Sequence, residues 1–126
     1  CGHVYTSGQL PTVSGQLVLR GKVGAEVSAE DATAAARTAM LNALSAAASV
    51  TGGLDQIGRV VKVTVFVASA PDFNGQPGVA NGASELLVQV FGDAGQHVRS
   101  AVGVSVLPLD APVEVELTVE PAGVTW

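Results

Sequence analysis

Of 126 residues, one is cysteine, 13% are charged and 4% are aromatic. A lone cysteine at position 1 excludes an intrachain disulfide and a cysteine-built zinc site. Basic residues number 6 against 11 acidic ones, for a net charge of -5. Arg20, Lys22, Arg37, Arg59, Lys62 and Arg99 are also scattered along the chain. Nucleic-acid binding through counterion release needs clustered Lys and Arg, so this balance argues against it. No apolar run reaches the ~18 residues needed to span a bilayer, and no signal-peptide pattern is present. These absences describe a cytoplasmic protein without nucleic-acid or membrane partners. The chain also lacks CxxC, HExxH, P-loop, GxGxxG and GxSxG signatures. Neither His3 nor His97 belongs to a metal-ligand spacing, so no metal site is expected.

What is present is a hydrophobic content of 48%, mostly Ala, Val and Leu, with 15 glycines. A single domain covering residues 1–126 is expected, since a chain of this size buries roughly two-thirds of its unfolded surface. With so little charge, part of its apolar surface is expected to be covered by further copies of itself.

Residues 4–7 read as a short strand ended by Gly8-Gln9-Leu10-Pro11, and a second strand begins near Gln16. With Gly15 at the turn, the two are expected to pair antiparallel. Ser28 supplies a helix N-cap, Glu30 and Asp31 the acidic first turn, and Gly52-Gly53 the stop. Ala36, Met40, Ala43, Leu44 and Ala47 lie at helical spacing between them. Residues 59–67 form a strand in which Val61, Val63, Val65 and Val67 share one face. After the loop at residues 71–77, Ala83, Leu86, Leu87, Val90 and Phe91 trace the apolar stripe of a second helix, which ends at residues 92–95. Val102, Val104 and Val106 then alternate with small residues, and Val113, Val115, Leu117 and Val119 alternate with Glu114, Glu116, Thr118 and Glu120. The order β-β-α-β-α-β-β implies an α+β fold with two helices packed on one face of a mixed β-sheet. The opposite face carries Thr64, Glu114 and Thr118, which suits a subunit interface with water or ligand in its seams.

Arg99 opens a strongly apolar strand in a chain with few charges. It reads either as an exposed strand-end or ion-paired arginine, or as a planar fork that binds a carboxylate bidentately. Glu114 is either part of a solvated strand face or a neighbour of that fork on the adjoining strand. His3 reads as a surface histidine. His97 differs because it precedes Arg99 by two residues.

Several short motifs lie in order along the whole chain: Thr6-Ser7-Gly8-Gln9 with Pro11, Gly21-Lys22-Val23-Gly24, Asn42, Val60-Val61-Lys62-Val63, Phe66-Val67, Asp72-Phe73 and Asn81. They end in Arg99-Ser-Ala-Val-Gly-Val-Ser-Val-Leu-Pro108 and Val113-Glu-Val-Glu116. In this spacing they resemble the Rid (YjgF-like) family. The resemblance implies a chorismate-mutase-like (YjgF-like) fold, a homotrimer with clefts between subunits, and a cofactor-independent hydrolase that serves metabolite damage control. Archetypal members convert reactive 2-imino and enamine acids to 2-keto acids and ammonia. Carried over, Arg99 would clamp the carboxylate of a small metabolite and Glu114 would hold or polarise the attacking water. Ser7, Gly8 and Ala101 would contact the substrate, and Asn81 would shape the cleft. A non-enzymatic trimer that binds small carboxylates, regulatory or chaperone-like, is the alternative. An endoribonuclease is a third reading, disfavoured by the acidic charge.

Three departures from the archetypes matter, and the last of them marks a divergent branch. Archetypes often carry Cys where this chain has Ala101, and their N-terminal segment with a substrate-contacting aromatic is not matched by the residues around Cys1-Gly2, which leaves either a truncated chain or a wall built differently. The stretch from Phe73 to Asn81 is also longer than in archetypes.

Overall fold

The computed structural model describes residues 2–123; Cys1, the lone thiol, lies outside the described residues. The six strands are β1 (Val4–Tyr5), β2 (Thr12–Val13), β3 (Gln16–Leu17), β4 (Ile57–Ala68), β5 (Val98–Val104) and β6 (Val113–Pro121), and the two helices are α1 (Ala29–Thr51) and α2 (Gln76–Phe91). Strands β1, β6, β4 and β5 form the main sheet in that order. The β4–β5 pair is parallel, because α2 crosses over between them; the other neighbours are antiparallel. Both helices cover one face of this mixed sheet, as the sequence pattern implied.

Helix α1 forms where its caps and composition dictate. The Ser28 side chain accepts a hydrogen bond from the Asp31 backbone N–H at 3.0 Å. Gly52 adopts a left-handed conformation and donates to the Ala48 carbonyl at 2.9 Å. Between these ends, six alanines with Met40 and Leu44 are buried. They pack on the valines of β4 and the alternating Val113, Val115, Leu117 and Val119 of β6, all essentially inaccessible. Asn42 leaves this core to donate to the carbonyls of Leu10 and Thr12, which ties the N-terminal segment to the helix.

Four expectations need correction. The first strand does not pair with the one near Gln16: Val4 and Tyr5 are in register with Val119 and Thr118 of β6. Gln16–Leu17 instead closes a small separate hairpin with Thr12–Val13 across the turn at Ser14-Gly15. Val60, not Val61, enters the core, because the β4–β6 register shifts between Val60 and Lys62 and resets the alternation. In α2 the apolar stripe starts earlier, at Val79 and Ala80, and leaves out Val90, which is 44% exposed, while Phe91 still packs against the core. Most important, residues 99–116 are not a strand pair: β5 and β6 flank β4 on opposite sides.

Gly82 sets how closely the helices approach. A Cβ there would run into the Thr33 carbonyl of α1. In an open helix, Gly→Ala would gain about 1 kcal/mol of propensity. Here overpacking against backbone should prevail, so Gly82→Ala is expected to lower unfolding free energy by about 1–3 kcal/mol. Urea denaturation would show a lower midpoint at an unchanged slope.

Candidate functional site

Alternation along β4 distributes the expected site residues over two places. In the sheet, residues opposite one another share a face. Val63 and Val65 point into the core, and their β5 partners are Arg99 and Ala101. These two residues therefore lie on the helix side, where α2 runs past. Phe66 points the other way, and its β6 partner is Glu114. Arg99 and Glu114 thus sit on opposite faces, roughly 10 Å apart across two strand gaps and about 10 Å apart along the strands.

The first cluster is a chain of hydrogen bonds. One terminal nitrogen of Arg99, Nη1, donates to Asn81 Oδ1 at 2.8 Å and to Ser84 Oγ at 3.2 Å. Asn81 and Ser84 are three residues apart on α2, so one helix face presents both. Ser84 Oγ also lies 2.9 Å from His97 Nε2, and His97 Nδ1 lies 2.6 Å from the Gly95 carbonyl. A carbonyl only accepts, so Nδ1 carries a proton; with a single proton on the ring, Nε2 is the acceptor of the Ser84 hydroxyl. The order of donation is Arg99 to Ser84, Ser84 to His97, and His97 to Gly95. The remaining Arg99 donors, Nε–H and the Nη2 pair, have no partner among the described residues.

The second cluster joins Glu114 to Gly8. Gln9 and Val115 exchange backbone hydrogen bonds at 2.8 and 3.0 Å, which lays the segment from Ser7 to Gln9 alongside β6. A Cβ at Gly8 would fall on the Glu114 carboxylate, so only glycine permits this contact. Ser7 is exposed, and its carbonyl accepts from Gln9 Nε2 at 3.2 Å. Burial, with a smaller contribution from Glu116, raises the Glu114 carboxyl above its ordinary value.

The structure therefore brings Arg99 together with Asn81, and Glu114 together with Gly8, with Ala101 two residues beyond Arg99. It does not bring the two groups together within one protomer. Sequence reasoning assigned no role to Ser84 and left His97 without a partner. The available signal was the three-residue spacing of Asn81 and Ser84 on the same helix as the apolar stripe.

The pH dependence of stability follows from the Glu114 shift. A raised native pKa means that the folded state holds this proton more tightly than the unfolded chain. This contribution to stability is complete below the unfolded value and is lost as pH rises through the folded one. Glu114→Gln is expected to be more stable than the wild type at neutral pH, with the gap closing under acid conditions. Urea denaturation of both proteins over a pH series checks this; a gap that widens on acidification contradicts it.

Residues 1–120 match the family model described as "YjgF/chorismate mutase-like, putative endoribonuclease". Protein TCP17 of Trypanosoma cruzi is 45% identical over 119 residues, spanning 94% of this chain and 74% of TCP17. The crystal structure of Agrobacterium tumefaciens Atu1372, a protein of unknown function, is 43% identical and superposes with a TM-score of 0.90, covering 94% of this chain and 76% of that one. Escherichia coli TdcF, crystallised with bound serine, is 25% identical with a TM-score of 0.62, covering 93% and 79%. With its two helices on a mixed sheet and this match over nearly its whole length, the chain belongs to the YjgF/chorismate mutase-like (Rid) family.

Proposed function

We propose that this protein hydrolyses small 2-imino acids and their enamine tautomers to 2-keto acids and ammonia, in the cytoplasm and without metal or cofactor. The observation that carries this reading is the state of Arg99. Its guanidinium is pinned through Nη1 by Asn81 and Ser84, while the Nε–Nη2 edge stays unpartnered among the described residues. Two parallel N–H donors on that edge match the two oxygens of a carboxylate. TdcF, a relative, holds serine, a ligand with such a carboxylate.

Glu114 faces away from Arg99 in its own protomer, so the reaction calls for a cleft between copies of the chain. A homotrimer is the assembly we propose. Two features support association. Strand β5 is an edge strand, with outer backbone groups that have no sheet partner. The helix-free face also leaves Tyr5 72% and Val98 65% exposed. In the assembled cleft, Arg99 anchors the carboxylate, backbone groups at Ala101 and near Gly8 contact the ligand, and Asn81 shapes the wall. The Glu114 of a second copy takes a proton from water as the water oxygen bonds to the imine carbon. That proton passes to nitrogen to give a carbinolamine; its hydroxyl proton then moves to the same nitrogen, through the same carboxylate, as the C=O bond forms, the C–N bond breaks and ammonia leaves the 2-keto acid. A raised Glu114 pKa suits this role, because a general base works best when its pKa approaches the working pH. No thiol is available at Ala101, so positioning of water and substrate carries the rate.

Binding without turnover is the second reading, favoured by the separation of Arg99 and Glu114 within the protomer. Endoribonuclease chemistry has the least support, given the net charge of -5.

Coupled to threonine dehydratase, the wild type is expected to speed the disappearance of the imine. Arg99→Ala should lower kcat/KM on the order of a hundredfold, the effect of losing a charged anchor worth about 3 kcal/mol. Equal rates for both proteins would overturn the reading. Titration with 2-ketobutyrate that shows Arg99-dependent binding without hydrolysis would favour the second one. Light scattering should give a trimer; a monomer at micromolar concentration would remove the shared cleft.

A further inference from the structure

We propose that His97 is a positioning residue which, acting through Ser84, fixes the edge that Arg99 offers to a carboxylate ligand. The inference rests on Arg99 being the carboxylate anchor and adds a residue pair that controls it.

Three hydroxyls of α1 provide the comparison that points to this role. In α1, Thr33, Thr38 and Ser49 each donate back to a carbonyl of their own helix, those of Ala29, Ala34 and Ala46. Such back-bonding is the default for a hydroxyl on a helix. Ser84 in α2 does otherwise: its hydroxyl is engaged by His97 Nε2 at 2.9 Å. A hydroxyl has one proton and two lone pairs. With the proton directed to His97, a lone pair is left for Arg99 Nη1, which donates at 3.2 Å. Asn81 Oδ1 takes the other Nη1 proton at 2.8 Å. Two acceptors on one nitrogen hold the guanidinium plane and leave the Nε–Nη2 edge as the free fork.

His97 can enforce this because it is itself held. Its Nδ1 donates to the Gly95 carbonyl at 2.6 Å. Gly95 in turn packs so tightly under α2 that a Cβ there would strike the Leu87 carbonyl. The imidazole is thus fixed relative to the helix that carries Ser84. Without an acceptor at Nε2, the Ser84 hydroxyl would revert to a carbonyl of its own helix, and one of the two restraints on Arg99 would weaken.

Three variants test this: Ser84→Ala, His97→Phe, which keeps a ring without the nitrogens, and His97→Gln, which can return an acceptor near Nε2. For the 2-imino acid reaction, Ser84→Ala and His97→Phe should each raise KM about tenfold with kcat within about twofold of wild type. The double variant should be no worse than either single one, since the residues act in series. His97→Gln should recover most of the affinity. Affinity for 2-ketobutyrate, measured by calorimetry, should follow the same order. Side-chain nitrogen NMR provides a readout that needs no ligand: resolved Arg99 Nη signals in the wild type should merge in Ser84→Ala and His97→Phe as rotation about Cζ–Nε is freed. If the wild type binds the acid and the variants bind it equally well, the relay is refuted while the deaminase reading stands. If the wild type neither binds nor hydrolyses, the deaminase reading falls and the NMR comparison alone decides. Unchanged Nη signals in folded variants, or additive effects of the two substitutions, would overturn the proposal.

Discussion

Strand β4 is the constraint on which the rest of the molecule depends. Among the described residues it is the one strand with partners of opposite sense, β5 parallel on one side and β6 antiparallel on the other. Its valines at 63, 65 and 67 are fully buried under the helices, and Lys62, Thr64 and Phe66 face the other way. Because each partner strand inherits this alternation, β4 also decides which side of the sheet the strand-borne candidates Arg99, Ala101 and Glu114 occupy. Arg99 follows Val63 to the helix side, and Glu114 follows Phe66 to the open side. The division of the site into two clusters is a direct consequence.

Small residues let the layers close over this strand. Alanines line the buried side of α1, and Gly82 lets α2 approach the Thr33 carbonyl. Such packing leaves little room for polar groups, and the described buried side-chain polar atoms all have hydrogen-bond partners. The polar groups of interest lie at the margins instead, at the β5 edge beneath α2 and on the open face beside Gly8. Marginal placement keeps them available to a ligand or a second copy while the valine and alanine core maintains their geometry.

The two clusters differ in how they are restrained. Arg99 is held by side chains, in a chain of donors that ends on the Gly95 carbonyl. Glu114 is held by the absence of one: its carboxylate fills the space that a Cβ on Gly8 would take. The first arrangement directs hydrogen bonds, and the second excludes water from part of a carboxylate and raises its pKa. The proposed clamp and base call for these different environments, and because the two lie on opposite faces of the protomer, the proposed reaction draws on a second copy.

Local signals in the sequence determined the two helices, the caps of α1 and most of the faces of the long strands. Ser28 and Gly52 ended α1 where expected because capping is decided within one turn, and Val113 to Val119 alternated as expected because pleating has a period of two. The resemblance to the Rid family also singled out Arg99, Asn81, Gly8 and Glu114 as site candidates. Strand pairing was beyond such signals. Adjacency in sequence suggested that the segments holding Arg99 and Glu114 pair, whereas the crossover through α2 puts β4 between them. The shift from Val61 to Val60 and the partnering of Tyr5 with Thr118 likewise depend on register with a distant strand. Ser84 and His97 remained unlinked for the same reason. A hydrogen bond between residues 13 apart exists only once a helix has been laid beside a sheet edge, and period and propensity carry no record of that distance.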